Sequence, residues 1–361
     1  MNPLSIVMLS FALLGALDRI LGNKFGLGKE FERGFNLLGP MSLSMIGMIV
    51  IAPALGVWLK PFFEGFYNML GIDPSIIPAS IFANDMGGTP LAMEVMKDSE
   101  MGMYNALVVS SIMGAVISFT IPFGAGIVNK TQHKELFFGF LCGIVAIPVG
   151  CFISGLVLGL NFGALLLNLL PLIILAVIIV LGLIFAPSGT VKVFRVFGFL
   201  MTALITVGLC LGMFTAVTGI VVCEHFDSVF EGAKICFNAS ITLAGAFPLM
   251  FIISKLLMKP MSAVGKKLGI NPTSAVCLLP NLVTNSTTFA MMQDMDKKGL
   301  VLNSALTVTV AFCFGSHLGF TMSYDEAYVL PMIIAKLVSG IVAILIALLI
   351  YKNEEPKKAQ I

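Results

Sequence analysis

Asp85 lies in ANDMGGTPLAM, residues 83–93, a glycine-rich and weakly polar stretch of a chain that is otherwise very apolar. A carboxylate in such a setting suits a small organic cation. Asn84 and Thr89 beside it, and Asn285, Ser286, Thr287 and Thr288 two hundred residues on, are of types that hydrogen-bond a hydroxyl. The expected ligand is small, polar and positively charged. A second role is open to Asp85: followed by Met-Gly-Gly-Thr-Pro, it stands where the N-cap of a short helix would stand.

Other ionisable groups fall in apolar runs. Lys336 is expected to face protein and to pair with a carboxylate such as Asp85 or Glu94, structural pairing being the favoured role. His317, in GSHLGF, can relay protons because imidazole titrates near neutrality, and a hydrogen-bonded packing role is equally open. Asp18 and Arg19 end the first apolar run and read as a local ion pair. Cys142, Cys151, Cys210, Cys223, Cys236, Cys277 and Cys313 show neither CxxC nor metal spacing and read as packing residues. No phosphate loop, metal-ligand cluster or catalytic set is found. No cofactor is therefore expected beyond coupling to H+ or Na+, and no nucleic-acid partner. Asp85 with His317 is a thin basis for an intramembrane enzyme, and the chain is not expected to be one.

What must position these residues follows from composition. Of 361 residues, 58% are hydrophobic and 11% charged, and the mean hydropathy is +1.02, whereas soluble domains carry about 25% charged residues. The chain belongs in a bilayer, as an all-α polytopic membrane protein. There a lone ionised side chain costs about 2.5–3.5 kcal/mol on insertion scales, so Asp85 needs a partner or a purpose.

Apolar runs of spanning length fall at about 3–22, 36–59, 101–128, 135–159, 162–186, 196–222, 232–257, 299–321 and 328–351. The first has no basic n-region or cleavage site and reads as a retained span. LGIDPS at 70–75 returns as LGINPT at 268–273, Lys60-Pro61 as Lys259-Pro260, PLAM at 90–93 as TFAM at 288–291, and Asn105-Ala106 as Asn303-Ser304. Each copy holds a segment, 74–96 and 273–293, that is too polar and too broken by Pro, Gly, Asn, Ser and Thr for an ordinary span.

Positive charge chooses between two topologies. If both segments cross, there are eleven full spans and Lys and Arg divide evenly. If both are re-entrant, Lys24, Lys29, Arg33, Lys130, Lys134, Lys192, Arg195, Lys259, Lys266, Lys267, Lys297, Lys298 and the tail lysines share one side, with Lys60, Lys97, Glu224, Asp227, Asp325 and Glu326 on the other. The second arrangement is expected: about nine transmembrane helices plus two re-entrant broken-helix hairpins, with the N-terminus outside and the C-terminus cytoplasmic. Residues 1–361 form one membrane domain. A first repeat (1–160) is inverted against a second (191–352), a linking helix lies at 161–190, and a polar tail at 353–361. Inverted repeats with broken helices near the midplane are how many secondary transporters build a site reachable from either side. GLVLG at 155–159 and GLCLG at 208–212 match a helix-packing pattern that 36 glycines make nearly inevitable.

ALDRILG (16–22), FERGF (31–35), ANDMGG (83–88), AIPVG (146–150), GSHLGF (315–320) and PMIIAKL (331–337) resemble, in that order, the ethanolamine-utilisation membrane protein family. The resemblance covers nearly the whole chain. It implies a bacterial inner-membrane permease importing ethanolamine, a hydroxylated small cation, and a functional link to a cytoplasmic ethanolamine ammonia-lyase. A homo-oligomer is compatible with it. It supplies no site residues. Where the family pattern carries an acidic residue before the histidine of GSHLGF, this chain has Ser316, which weakens a carboxylate–histidine relay. The outer loop near 223–231 and the tail are also shorter than that pattern. Other classes stay open at this level: a passive ethanolamine facilitator, a transporter of a small carboxylate or amino acid, a membrane enzyme and a receptor-like sensor.

Overall fold

In a computed structural model the described residues are 3–351, and every regular element among them is helical. The polar tail at 353–361 lies outside the described residues. The helices are α1 (Pro3–Ile20), α2 (Leu27–Asn36), α3 (Leu38–Leu70), α4 (Ile76–Ile81), α5 (Gly88–Val95), α6 (Ser99–Tyr104), α7 (Ile121–Ile127), α8 (His133–Leu158), α9 (Phe162–Asn168), α10 (Leu170–Phe185), α11 (Pro187–Thr218), α12 (Val229–Leu268), α13 (Pro272–Cys277), α14 (Asn285–Met291), α15 (Lys297–Thr309), α16 (Ser316–Tyr324) and α17 (Val329–Ile350). Between α6 and α7 the backbone continues in π-helical form over Asn105–Gly114 and Val116–Thr120.

Among the described residues eight stretches are long and apolar enough to cross a membrane: Pro3–Ile20, Leu27–Leu70, Ser99–Ile127, Lys130–Leu158, Phe162–Phe185, Pro187–Thr218, Val229–Leu268 and Glu326–Ile350. The chain is a polytopic membrane protein. The ninth expected span, 299–321, is not one helix. α15 stops at Thr309, α16 starts at Ser316, and Phe312 between them has φ 60. Hydropathy could not show this break, because its sequence is as apolar as a helix. What permits it is tertiary: the Phe314 N–H donates to the Leu282 carbonyl (2.8 Å), and the Ala311 carbonyl accepts from Lys336 Nζ (2.9 Å).

The repeated LGI(D/N)P motif is a helix stop. α3 and α12 end at Gly71 and Gly269, with φ of 64 and 65, and a proline follows three residues later in each. The segments beyond are closed at their bases by carboxylates. Asp73 accepts from the N–H and hydroxyl of Ser75 through one oxygen, and from the N–H groups of Lys97 (2.9 Å) and Asp98 (2.8 Å) through the other. In the second copy the carboxylate stands at the exit. Asp296 accepts from the Asn271 N–H (2.8 Å) and the Ser274 hydroxyl (2.7 Å), and Asn271 Nδ2 donates to the Asp294 carbonyl (2.9 Å).

α1 packs on α12 while α11 packs on α3, and α8 lies against α15 and α17. The α3–α11 contact needs glycine: a Cβ on Gly47 would stand 1.8 Å from the Ile205 carbonyl oxygen, and one on Gly208 2.4 Å from that of Gly47. The GLCLG pattern is thus a true helix contact at Gly208. In GLVLG, by contrast, Gly155 packs on the Leu165 side chain and Gly159 ends α8 at φ 96.

Candidate functional site

The chain turns sharply between α4 and α5, where Asn84–Met86 forms a single 3-10 turn and Gly87 takes φ 103. Only glycine adopts that conformation readily, and a Cβ there would also strike Met48 at 2.4 Å. The turn aims Asp85 into a cavity of about 470 Å³, lined among others by Asp85, Met86, Phe119, Thr284, Ser286, Phe312, Ser316 and His317. Both broken segments therefore contribute to one cavity.

Asp85 is not a helix cap. The residue preceding α5 is Gly87, and no side chain caps it. The carboxylate instead lies 3.6 Å from His317 Nε2 and within hydrogen-bonding reach of the Ser316 hydroxyl, with its side chain 17% exposed. α16 supplies both partners from its first turn, immediately after the break at 310–315. The His317 ring sits 5.0 Å from that of Phe312, and Phe312 lies 5.8 Å edge-to-face from Phe119. The cavity wall thus offers a carboxylate, hydroxyls and two aromatic rings. Ammonium ions bind all three.

The remaining expected site residues divide. Ser286 lines the main cavity and Thr287 an adjoining one of about 230 Å³. Asn84, Thr89, Asn285 and Thr288 are wholly buried and fasten the tips in place. Asn84 accepts from the Asp85 N–H (2.9 Å) and donates to Thr321 Oγ1 (3.4 Å). Thr89 donates to the Ala106 carbonyl (2.6 Å), Asn285 to Thr120 Oγ1 (3.2 Å) and Thr288 to the Cys277 carbonyl (3.4 Å).

Two expected charge partnerships are not seen. Glu94 lies in a separate cavity with Gly56, Lys60, Glu64 and Lys97. Among the described residues no carboxylate comes within ion-pair distance of Lys336. Its Nζ donates instead to the carbonyls of Ser111 (2.6 Å) and Ala311 (2.9 Å). The physical reason is that irregular backbone frees carbonyls in the apolar interior, and an ammonium meets them more closely than it meets Asp85. Asp18 also departs from expectation: it accepts from the N–H groups of Phe25 and Gly28 (2.9 Å each), while Arg19 pairs with Glu32 (2.7 Å).

Thr284, Ser316, Phe119, Phe312 and Arg33 are cavity residues that sequence reasoning did not assign to the site. Ser316 could have been found from its place beside His317. No ring could be singled out among 29 phenylalanines. Arg33 stacks on Phe247 (4.7 Å) and pairs with Glu30 (3.2 Å) where the two cavities meet.

A family described as "Ethanolamine utilisation protein, EutH" matches residues 2–350. The chain belongs to the EutH family. It is 40% identical to the "Probable ethanolamine permease EutH" of Listeria monocytogenes over 95% of this chain and 92% of that one. It is 34% identical to the protein of the same name in Escherichia coli, over 97% and 95%. It is 37% identical to Bacillus subtilis "Uncharacterized protein YxeR", over 93% and 91%. No solved structure matches. A membrane transporter, not a catalyst, is the class these EutH relatives support.

Proposed function

We propose that this EutH-family protein is a permease importing ethanolamine across the bacterial inner membrane. The observation that carries the reading is Asp85, a carboxylate aimed into a cavity that also presents the hydroxyls of Thr284, Ser286 and Ser316. The ammonium lies between Asp85 and the rings of Phe119 and Phe312, and the alcohol reaches the second tip. Two contacts at opposite ends of a short molecule select for a charge and a hydroxyl together.

Translocation proceeds by alternating access around the two tips. Supporting this, each broken segment has its entry and exit hydrogen-bonded side by side, Asp73 to Lys97 and Asp98, Asn271 to Asp294 and Asp296. Entry and exit held side by side support two re-entrant hairpins. α1 on α12 and α11 on α3 are exchanged contacts of the kind two inverted repeats produce. The main cavity shares Arg33, Phe247, Val283 and Thr284 with the adjoining one, toward the basic set of loops. This supports an inward-facing conformation, in a topology with the N-terminus outside and the C-terminus in the cytoplasm, where ethanolamine would feed an ammonia-lyase. The Asp85–His317 pair, 3.6 Å apart, supports a proton as the coupling ion.

The test is uptake of labelled ethanolamine into proteoliposomes at acidic pH, where leak of the neutral amine is small. Saturable, concentrative uptake that Asp85→Asn abolishes without loss of folded protein supports the proposal. Uptake that only equilibrates the two sides indicates a passive facilitator. Arg33 in the cavity wall favours a second reading, a small carboxylate substrate; indifference of the intact protein to ethanolamine, with uptake of a carboxylate, would establish it.

A further inference from the structure

Lys336 does not line the cavity just described, yet among the described residues it is the most deeply buried lysine or arginine, at 1% exposure and eight residues into α17. Its ammonium joins a π-helical stretch of backbone to a broken one. Ser111 lies in the π-helical Asn105–Gly114, and Ala311 in the break between α15 and α16. One belongs to each half of the chain. Carbonyls released by unwound helices at membrane depth are the ligands that transporters use for a coupling sodium ion. Here those carbonyls already hold a positive charge, carried on a side chain.

We infer that Lys336 occupies, as a tethered cation, the place a coupling sodium ion would take, so that the protein works without sodium. The geometry accounts for several observations at once. A buried ammonium needs compensation, and two carbonyls at 2.6 and 2.9 Å provide it where no carboxylate among the described residues comes within ion-pair distance. The break between α15 and α16 leaves the Ala311 carbonyl without a helical donor, and Lys336 supplies one. The cation bridges both halves in every cycle, because it cannot dissociate. This inference rests on the transport reading but is tested apart from it.

The experiment is thermal unfolding of the purified protein in detergent, in NaCl against KCl at equal ionic strength, with sodium replacement in the uptake assay beside it. The intact protein is expected to unfold at the same temperature in both salts and to take up ethanolamine equally in both. Lys336→Ala, which empties the position, is expected to unfold several degrees lower in KCl and to recover specifically in NaCl, as binding linkage requires. A sodium-specific rise in the intact protein overturns the inference, as does Lys336→Ala with parental stability and no sodium response. If Lys336→Ala cannot be purified, Lys336→Ser, whose hydroxyl meets part of the need of the two carbonyls, is read in the same way. Absence of uptake in either salt counts against the transport reading alone, since the unfolding comparison still decides the role of Lys336.

Discussion

The two broken segments, 73–98 and 271–296, are alike at their bases and unlike at their tips. Each follows a long helix ended by a left-handed glycine, and each is closed by one carboxylate, Asp73 at the entry of the first and Asp296 at the exit of the second. Asp98 caps the helix at the first exit as Asp296 does at the second, but in the first copy it is Asp73 that joins entry to exit. At the tips the chemistry differs. The first presents Asp85 with α16's His317 and Ser316 beside it, and the second only the hydroxyls of Thr284 and Ser286. Bases with the same task tolerate exchange of the residue that performs it. Tips facing one asymmetric ligand do not.

The largest effect tests whether the tips are interchangeable. Asp85→Asn should lower uptake on the order of a hundredfold, since truncating one partner of a desolvated charge contact costs about 2–5 kcal/mol. Adding Ser286→Asp, which moves the carboxylate to the other tip, should not restore uptake. If it does, the difference between the tips has no functional meaning.

The bases come next. Asp73→Ala loses all four bonds accepted at a buried site and should cost roughly 3 kcal/mol of stability. Asp296→Ala, at a half-buried site, should cost roughly 2. Unfolding midpoints in detergent check both, and an Asp73→Ala protein as stable as its parent would remove the common closure. A more modest effect is expected from accessibility. Met86→Cys and Ser286→Cys, in a background freed of the seven native cysteines, should both react with small aqueous thiol reagents, and ethanolamine should slow both. Protection of one alone would mean that the tips do not share a ligand.

The smallest effect concerns the hydroxyl end. Ser286→Ala should raise KM for ethanolamine roughly threefold, the worth of one neutral hydrogen bond, and should leave ethylamine uptake unchanged. Equal weakening for both amines would place Ser286 away from the alcohol.

Some of this was open to reading before any coordinates, for physical reasons. Periodic apolarity of spanning length shows itself directly, so eight of nine expected spans stand as long helices. The interrupted one, 299–321, escaped because what breaks it is a pair of hydrogen bonds from elsewhere, Phe314 to Leu282 and Lys336 to Ala311. Asp85 was legible because a carboxylate in an apolar chain is costly wherever it sits. Asn84, Thr89, Asn285 and Thr288 were legible as polar but not as buried anchors. Residue type does not tell which way a side chain turns.

The sequence by itself determined that this chain lives in a bilayer, that it stops two long helices at the same repeated motif, and that one acidic group in a glycine-rich turn needs a purpose. These follow from local costs: apolar surface in water, φ at glycine, charge in hydrocarbon. Only the tertiary structure decided that Asp85 meets His317 and Ser316, that Lys336 meets carbonyls instead of carboxylates, and that Glu94 stands apart. The Asp85–His317 and Lys336–Ser111 pairings join residues more than two hundred positions apart, and which of several competing partners wins depends on distances that exist only once the helices are packed.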